Sequence, residues 1–429
     1  MDIVIIGGGP AGRTAAIEAS SLGENVTLIE GNKIGGTCLN EGCMVVCGLN
    51  EVSKFIIDAK NFKDLGIIDD THEISFDKVI SGVKNTVDKI SHVLESETKE
   101  AGAEIISGNA ELQNEKVTVN DEEHDYDKLI IATGARPFIP EIEGAENAIT
   151  YKDILNLTEL PEGLNIIGSG IIAAEFANIF STMGVKVNIL CRNQFLGMLD
   201  MDIKTYLVKN LLTDAFIHEN IQTETIYEDH ILTEKGQMEG KTLFAAGMIP
   251  NSEIASDIVN TNEKGHIIVD NRMQTSRENI YAAGDVARKI GNTPISRAEG
   301  VVAARNACEI YSEMDYSLIP YAINLYYDVA FIDSKINGGG MEGYIPGSAG
   351  PGSFWRVLEG MTGLTKMNVN EDRGVNKIFS ISPSSRTSMA YISKLLREGQ
   401  KIDDFDDFIE VHPSTDAIYK LMRFFARFE

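Results

Sequence analysis

One design, used twice, limits what this chain can fold into: an apolar strand, a glycine turn, then a helix. Ile3-Val4-Ile5-Ile6 runs into Gly7-Gly8-Gly9-Pro10-Ala11-Gly12 and an alanine-rich helix through Ala15, Ala16 and Ala19. Far downstream, Leu164-Asn165-Ile166-Ile167 runs into Gly168-Ser169-Gly170-Ile171-Ile172-Ala173 and a helix through Ala174, Phe176 and Ala177. In Gly7-x-Gly9-x-x-Gly12 the first glycine permits the tight turn, the second lets backbone approach a pyrophosphate, and the third lets helix and strand pack closely. The helix N-terminus then faces the phosphates. A glycine turn alone also fits unrelated folds, but Glu30 ends the next strand about 18 residues after Gly12, where a carboxylate accepts hydrogen bonds from ribose hydroxyls. The second turn has Ala173 at the third position, and its next strand ends in Cys191-Arg192 where an acid would stand. Arginine pairs with a 2′-phosphate, so NADPH is favoured over NADH; the alternative is a solvated surface arginine and a site indifferent to the phosphate.

The 429 residues are too many for one hydrophobic core and divide into about three domains. Against 64 Asp and Glu stand 38 Lys and Arg, a net charge of -26 that repels nucleic-acid phosphates and anionic lipid. No nucleic-acid or membrane partner is expected. No apolar run reaches the roughly 18 residues of a membrane helix, and no targeting peptide is visible. The five cysteines are too few and too clustered for a secreted disulfide scaffold, which points to a reducing, cytoplasmic setting.

Three of those cysteines lie close together. In Gly35-Gly36-Thr37-Cys38-Leu39-Asn40-Glu41-Gly42-Cys43, two thiols five apart precede a helix expected through Val45, Leu49, Val52 and Phe55. They can close a small ring at a helix start, where the dipole and a nearby cation hold a thiolate. Metal binding, with Cys47 as a third ligand, is the competing account; no fourth ligand lies at a usual zinc spacing, so no metal is expected.

Gly7 to Gly12, Cys38 with Cys43, Ala132-Thr133-Gly134, Gly168 to Ala173 and Gly284-Asp285 occur in an order that resembles the class I pyridine nucleotide–disulfide oxidoreductases. Dihydrolipoamide dehydrogenase, glutathione reductase and mercuric reductase belong to that family. The resemblance spans nearly the whole chain and implies an α/β fold with two Rossmann-like dinucleotide-binding domains and a C-terminal α+β dimerisation domain. The boundaries expected are 1–145 with 258–315 for FAD, 146–257 for NAD(P), and 316–429 for dimerisation. It implies FAD over Gly7, Gly9, Pro10, Ala11 and Gly12, with Glu30 on the ribose, Gly36 and Thr37 at the pyrophosphate, Ala110 beside the adenine, and Asp285 near the ribityl or phosphate region. Ala132, Thr133, Gly134 and Gly284 line the same cofactor. NADP, or NAD, would meet Gly168, Gly170, Ala173, Arg192 and Gly247. Electrons would pass from NADPH through the flavin to Cys43, while Cys38 exchanges with a small-molecule or protein disulfide. His412, in His412-Pro413-Ser414-Thr415, would be the acid and base, supplied by the partner subunit of a homodimer.

The chain also departs from that family. Cys47 stands where a lysine normally pairs with the glutamate matching Glu175, so the flavin's environment changes or Glu175 takes up a proton. Cys43 and Cys47 share a helix face, so a third thiol could join the relay; a small packing cysteine is the alternative. The acid that fixes the histidine is replaced by Ala417, with Asp416 one residue earlier, expected either to orient His412 or to cap a helix. Ile171 replaces a tyrosine common in relatives. These changes keep two rivals open: a flavoprotein reductase or oxidase with a non-disulfide acceptor, and a flavin-binding scaffold without activity.

Overall fold

A computed structural model describes residues 1–70, 73–113, 116–287, 291–334 and 339–427. The first strand, Asp2–Ile6, is buried from Ile3 onward and lies inside a five-stranded parallel sheet. The order is Ile280–Ala282, Lys128–Ile131, Asp2–Ile6, Asn25–Glu30, Glu104–Ser107. A strand buried on both faces reads as an unbroken apolar run, which is why Ile3 to Ile6 does not alternate. Helix α1 (Pro10–Ser21) follows directly, with Pro10 at its start, where a missing N–H does no harm. Short helix α2 (Gly36–Asn40) and long helices α3 (Cys43–Asp64) and α4 (Phe76–Glu100) come between strands Asn25–Glu30 and Glu104–Ser107.

A second parallel sheet repeats the plan with strands Ala215–Glu219, Lys186–Cys191, Gly163–Ile167, Lys241–Phe244 and Ile149–Thr150 in that order. Helix α5 (Ile171–Thr182) leaves its glycine turn and α6 (Met201–Leu211) follows. The chain then returns to the first sheet through Ile280–Ala282 and enters α7 (Thr293–Ala307). Small residues let α7 lie hard against α1: a Cβ on Gly300 would stand 2.2 Å from the Ala11 carbonyl oxygen.

The C-terminal third is an antiparallel sheet in the order Tyr321–Asn324, Asp328–Asp333, Val375–Ser382, Leu364–Val369, Met341–Pro346. Helices α8 (Ser385–Arg397) and α9 (Ile418–Ala426) bury Met389, Ile392, Ile418, Leu421 and Phe425 against Ile378 and Met367. The structure is therefore the α/β arrangement expected from the repeated turn. Among the described residues no helix is long and apolar enough to cross a membrane.

Candidate active site

The first glycine turn is a cradle that side chains would fill. Gly7 has φ +105, and a Cβ there would stand 2.3 Å from the Ala132 carbonyl oxygen; one on Gly12 would stand 1.8 Å from that of Gly7. Ala132 and Thr133 thus pack under the turn, Gly134 follows them with its carbonyl accepting from the Asn251 N–H at 2.9 Å, and Gly36 faces the turn from α2, its Cβ position 2.7 Å from the Gly9 Cα. The Glu30 carboxylate accepts from Gly8 N–H at 2.5 Å and Asn32 N–H at 2.7 Å. Asn109, before Ala110, lies over Gly31, whose Cβ position is 2.2 Å from its Oδ1. Gly284 sits against Ala11, and its N–H donates to the buried Glu299 carboxylate at 2.8 Å. The Asp285 carboxyl is pushed up by burial. The Tyr151 hydroxyl, close to Thr37, Glu41 and Asp285, is buried without a hydrogen-bond partner. An orphaned hydroxyl, a desolvated carboxyl and a glycine turn clear of side chains suit a large polar ligand.

The second turn has the same architecture. A Cβ on Gly168 would stand 2.2 Å from the Ala245 carbonyl oxygen, Gly170 caps α5, and Ala173 is buried. The Cys191 thiol donates to the Gly168 carbonyl at 3.4 Å, a packing role, and burial raises its pKa to about 12. Arg192 is exposed just beyond the strand, and among described residues no acid pairs with it. Gly247, with φ +120, ends the turn after the fourth strand of this unit.

Cys38 on α2 and Cys43 at the start of α3 face each other as free thiols. Cys43 Sγ also lies 3.7 Å from Thr293 Oγ1, at the start of α7. The pair shares protons unequally. A hydrogen bond from Cys43 is the main influence lowering Cys38, with Thr293 and the charge of Arg297 adding to it, and its thiol is brought down to about 7; the same bond pushes Cys43 up. Cys38 is the first to ionise.

One turn further along α3, Cys47 meets a chain of buried amides. Asn178 donates to Asn50 at 2.8 Å, Asn50 to Asn324 Oδ1 at 2.8 Å, and the Asn324 amide to Cys47 Sγ at 3.6 Å. Burial raises Cys47. The Asn324 backbone N–H donates to Glu175 at 2.8 Å, while burial raises Glu175 to about 8. Of the two outcomes expected for a glutamate without its lysine, uptake of a proton is the one this environment favours.

His412, joined to Pro413 by a cis peptide bond, is exposed at a cavity of about 510 Å³ lined also by Glu410, Asp416, Tyr419 and Lys420. No hydrogen bond among the described residues joins it to Cys38 or Cys43 of its own chain. Asp416 accepts from the Ile418 backbone N–H at 2.7 Å, so it caps α9, and its other oxygen is buried without a partner.

Residues 1–300 match the pyridine nucleotide-disulphide oxidoreductase family. The chain belongs to that family. It is 33% identical to an uncharacterized protein of Methanocaldococcus jannaschii over 99% of this chain and 98% of that one. It is 27% identical to dihydrolipoyl dehydrogenase 2 of Haloarcula marismortui, over 98% and 95% of the two chains, and 31% identical to glutathione reductase of Nostoc over 70% of each. Among solved structures, it resembles the HOCl-induced flavoprotein disulfide reductase RclA of Escherichia coli, with a TM-score of 0.85 at 25% identity over 98% of both chains. LpdA of Mycobacterium tuberculosis shares the fold, with a TM-score of 0.88 at 22% identity over 99% of both. Family members of this type use FAD and NAD(P)H, and this chain is a FAD-dependent pyridine nucleotide-disulfide oxidoreductase.

Four residues at this family site escaped sequence reasoning: Tyr151, Thr293, Arg297 and Asn324. Only Thr293 carried a local signal. Thr293-Pro294 opens a helix, and proline at a first turn marks a start.

Proposed function

We propose that the protein is an NADPH-dependent disulfide reductase in which Cys38 attacks the substrate and Cys43 resolves the mixed disulfide. The observation that carries this reading is the thiol pair itself, with Cys38 held near pKa 7 by Cys43 and Thr293. At neutral pH such a thiol is about half thiolate while keeping more nucleophilicity than a fully acidic one. The Cys38 thiolate forms a bond to one substrate sulfur and releases the other as a thiolate, which takes a proton. Cys43, losing its own proton, then attacks the Cys38 sulfur and releases the second thiol. The substrate disulfide is thereby reduced to two thiols, and the protein dithiol is oxidised to a disulfide.

His412 of the partner subunit in a homodimer carries the proton between Cys38 and the leaving thiol. His412 is exposed and, among the described residues, makes no hydrogen bond to the thiols of its own chain, which supports that sharing. Bound FAD supplies two-electron transfer between nicotinamide and the thiol pair. Glu30, Thr37, Tyr151 and Asp285 hold FAD, and Arg192 pairs with the 2′-phosphate of NADPH.

Cys38→Ser tests the assignment. Anaerobic flavin reduction by NADPH should stay within about twofold of the parent, while turnover of oxidised lipoamide, glutathione disulfide or coenzyme A disulfide falls at least about 100-fold. Unchanged disulfide turnover in this variant defeats the assignment. Parent protein that reduces quinones or metals but no disulfide would point to a non-disulfide acceptor, and a flavin that NADPH leaves oxidised would point to a scaffold.

A further inference from the structure

We propose that Arg297 forms an anion-binding subsite beside Cys38, so that the disulfide this protein takes carries a carboxylate or phosphate close to its sulfurs. The proposal rests on the disulfide-exchange reading above and names the substrate class.

The argument begins with α7. Its first residue, Thr293, is fixed at the thiol pair by the 3.7 Å contact of its hydroxyl with Cys43 Sγ. Residues four apart lie on one helix face, one turn above the other, so Arg297 rises from the thiol pair on the same face as Thr293. Its charge acts on Cys38, the thiol that ionises first. The groups acting on Cys38 come from two helices, Cys43 and Cys47 on α3 and Thr293 and Arg297 on α7; Arg297 is the cation among them.

Arg297 is also uncommitted. It is exposed, and no hydrogen bond or ion pair joins it to a described residue. Glu299, two positions on, points the other way and is engaged by Gly284 N–H and the Tyr316 hydroxyl. Glu41, near α2, is already paired with Lys152 at 3.2 Å. On a chain with a net charge of -26, an arginine left without an acid at the mouth of a dithiol is a departure from its surroundings. A guanidinium there serves two purposes. It favours the thiolate, and it offers a forked donor to a carboxylate or phosphate on an arriving disulfide.

Alkylation separates these two effects without any turnover. Iodoacetate and iodoacetamide react with the same thiolate and differ in charge, so a change in the Cys38 pKa cancels in the ratio of their rates. The reduced holoprotein would be treated with each reagent at pH 7, and modification of Cys38 followed by mass spectrometry. The iodoacetate-to-iodoacetamide ratio should fall about 3–5-fold in Arg297→Ala, be largely kept in Arg297→Lys, and fall with added salt in the parent protein. An unchanged ratio in Arg297→Ala overturns the proposal.

Turnover provides the second arm. Lipoate and lipoamide share one cyclic disulfide and differ in a carboxylate, and the ratio of their kcat/KM values should move with the alkylation ratio. If none of lipoate, lipoamide, glutathione disulfide and coenzyme A disulfide turns over while the alkylation ratio still depends on Arg297, the reductase reading fails and the anion subsite stands. If both lipoate and lipoamide turn over with a ratio indifferent to Arg297, the reverse holds.

Discussion

At the scale of single residues, Glu175 shows how a lost partner is replaced. A lysine at position 47 would have neutralised it; Cys47 leaves the carboxyl with one backbone donor, the Asn324 N–H at 2.8 Å, and burial raises it to about 8. A carboxyl raised in the fold stabilises the protein fully below its ordinary pKa, and that contribution is lost as pH rises through about 8. Wild-type protein should therefore lose melting temperature relative to Glu175→Gln between pH 5 and pH 9, a difference on the order of a few kcal/mol in unfolding free energy. Parallel melting curves for the two proteins across that range would show that Glu175 ionises freely. The residues bearing on this question were legible in sequence as types, Cys47 and Glu175. Asn324, which tells the two outcomes apart, was not legible, because it reaches Glu175 across 149 positions of chain.

At the scale of elements, legibility follows from where the forces act. The two glycine turns could be read because their requirement is local: Gly7 at φ +105 and Gly12 with 1.8 Å of room admit nothing else. The thiol loop could be read because both cysteines lie within one turn and its helix. Thr293 could not, since it meets Cys43 across 250 residues, and a threonine carries no signature of what it will touch. Asp416 shows the converse: both expectations for it were local, and the Ile418 N–H at 2.7 Å selects helix capping. The strand Lys186–Cys191 likewise delivers Arg192 to solvent at the edge of the second glycine turn, where it can meet a phosphate. Changing Arg192 to Glu should weaken NADPH by about 1–3 kcal/mol, raising its KM roughly 5–150-fold, and leave NADH little affected. Equal effects on both nicotinamides would make Arg192 a bystander.

At the scale of the whole molecule, the relevant quantity is the excess of acid, and the question is how units so charged stay together. Lys366, on strand Leu364–Val369 of the C-terminal sheet, is one answer. Its ammonium is buried and lies 2.9 Å from Asp200, 2.7 Å from Asp202 and 3.0 Å from Glu342. Burial works against its charge, but the three carboxylates outweigh that and raise its pKa. Asp200 and Asp202 open α6 in the second parallel unit, and Asp200 caps it by accepting from Asp202 N–H at 2.9 Å. One cation therefore ties two units through three anions that would otherwise repel one another. Lys366→Met keeps the stem and deletes the charge, leaving those carboxylates unopposed. Because Asp202 and Glu342 are more than half exposed, water screens part of the repulsion, so the loss should be about 1–3 kcal/mol and not the larger value of a sealed ion pair. The loss should shrink in high salt and be partly relieved by adding Asp202→Asn, since both weaken the repulsion that the missing lysine exposes. A Lys366→Met protein whose melting temperature is lowered equally at all salt concentrations would mean that Lys366 acts through packing of its stem, and that another contact holds the acidic units together.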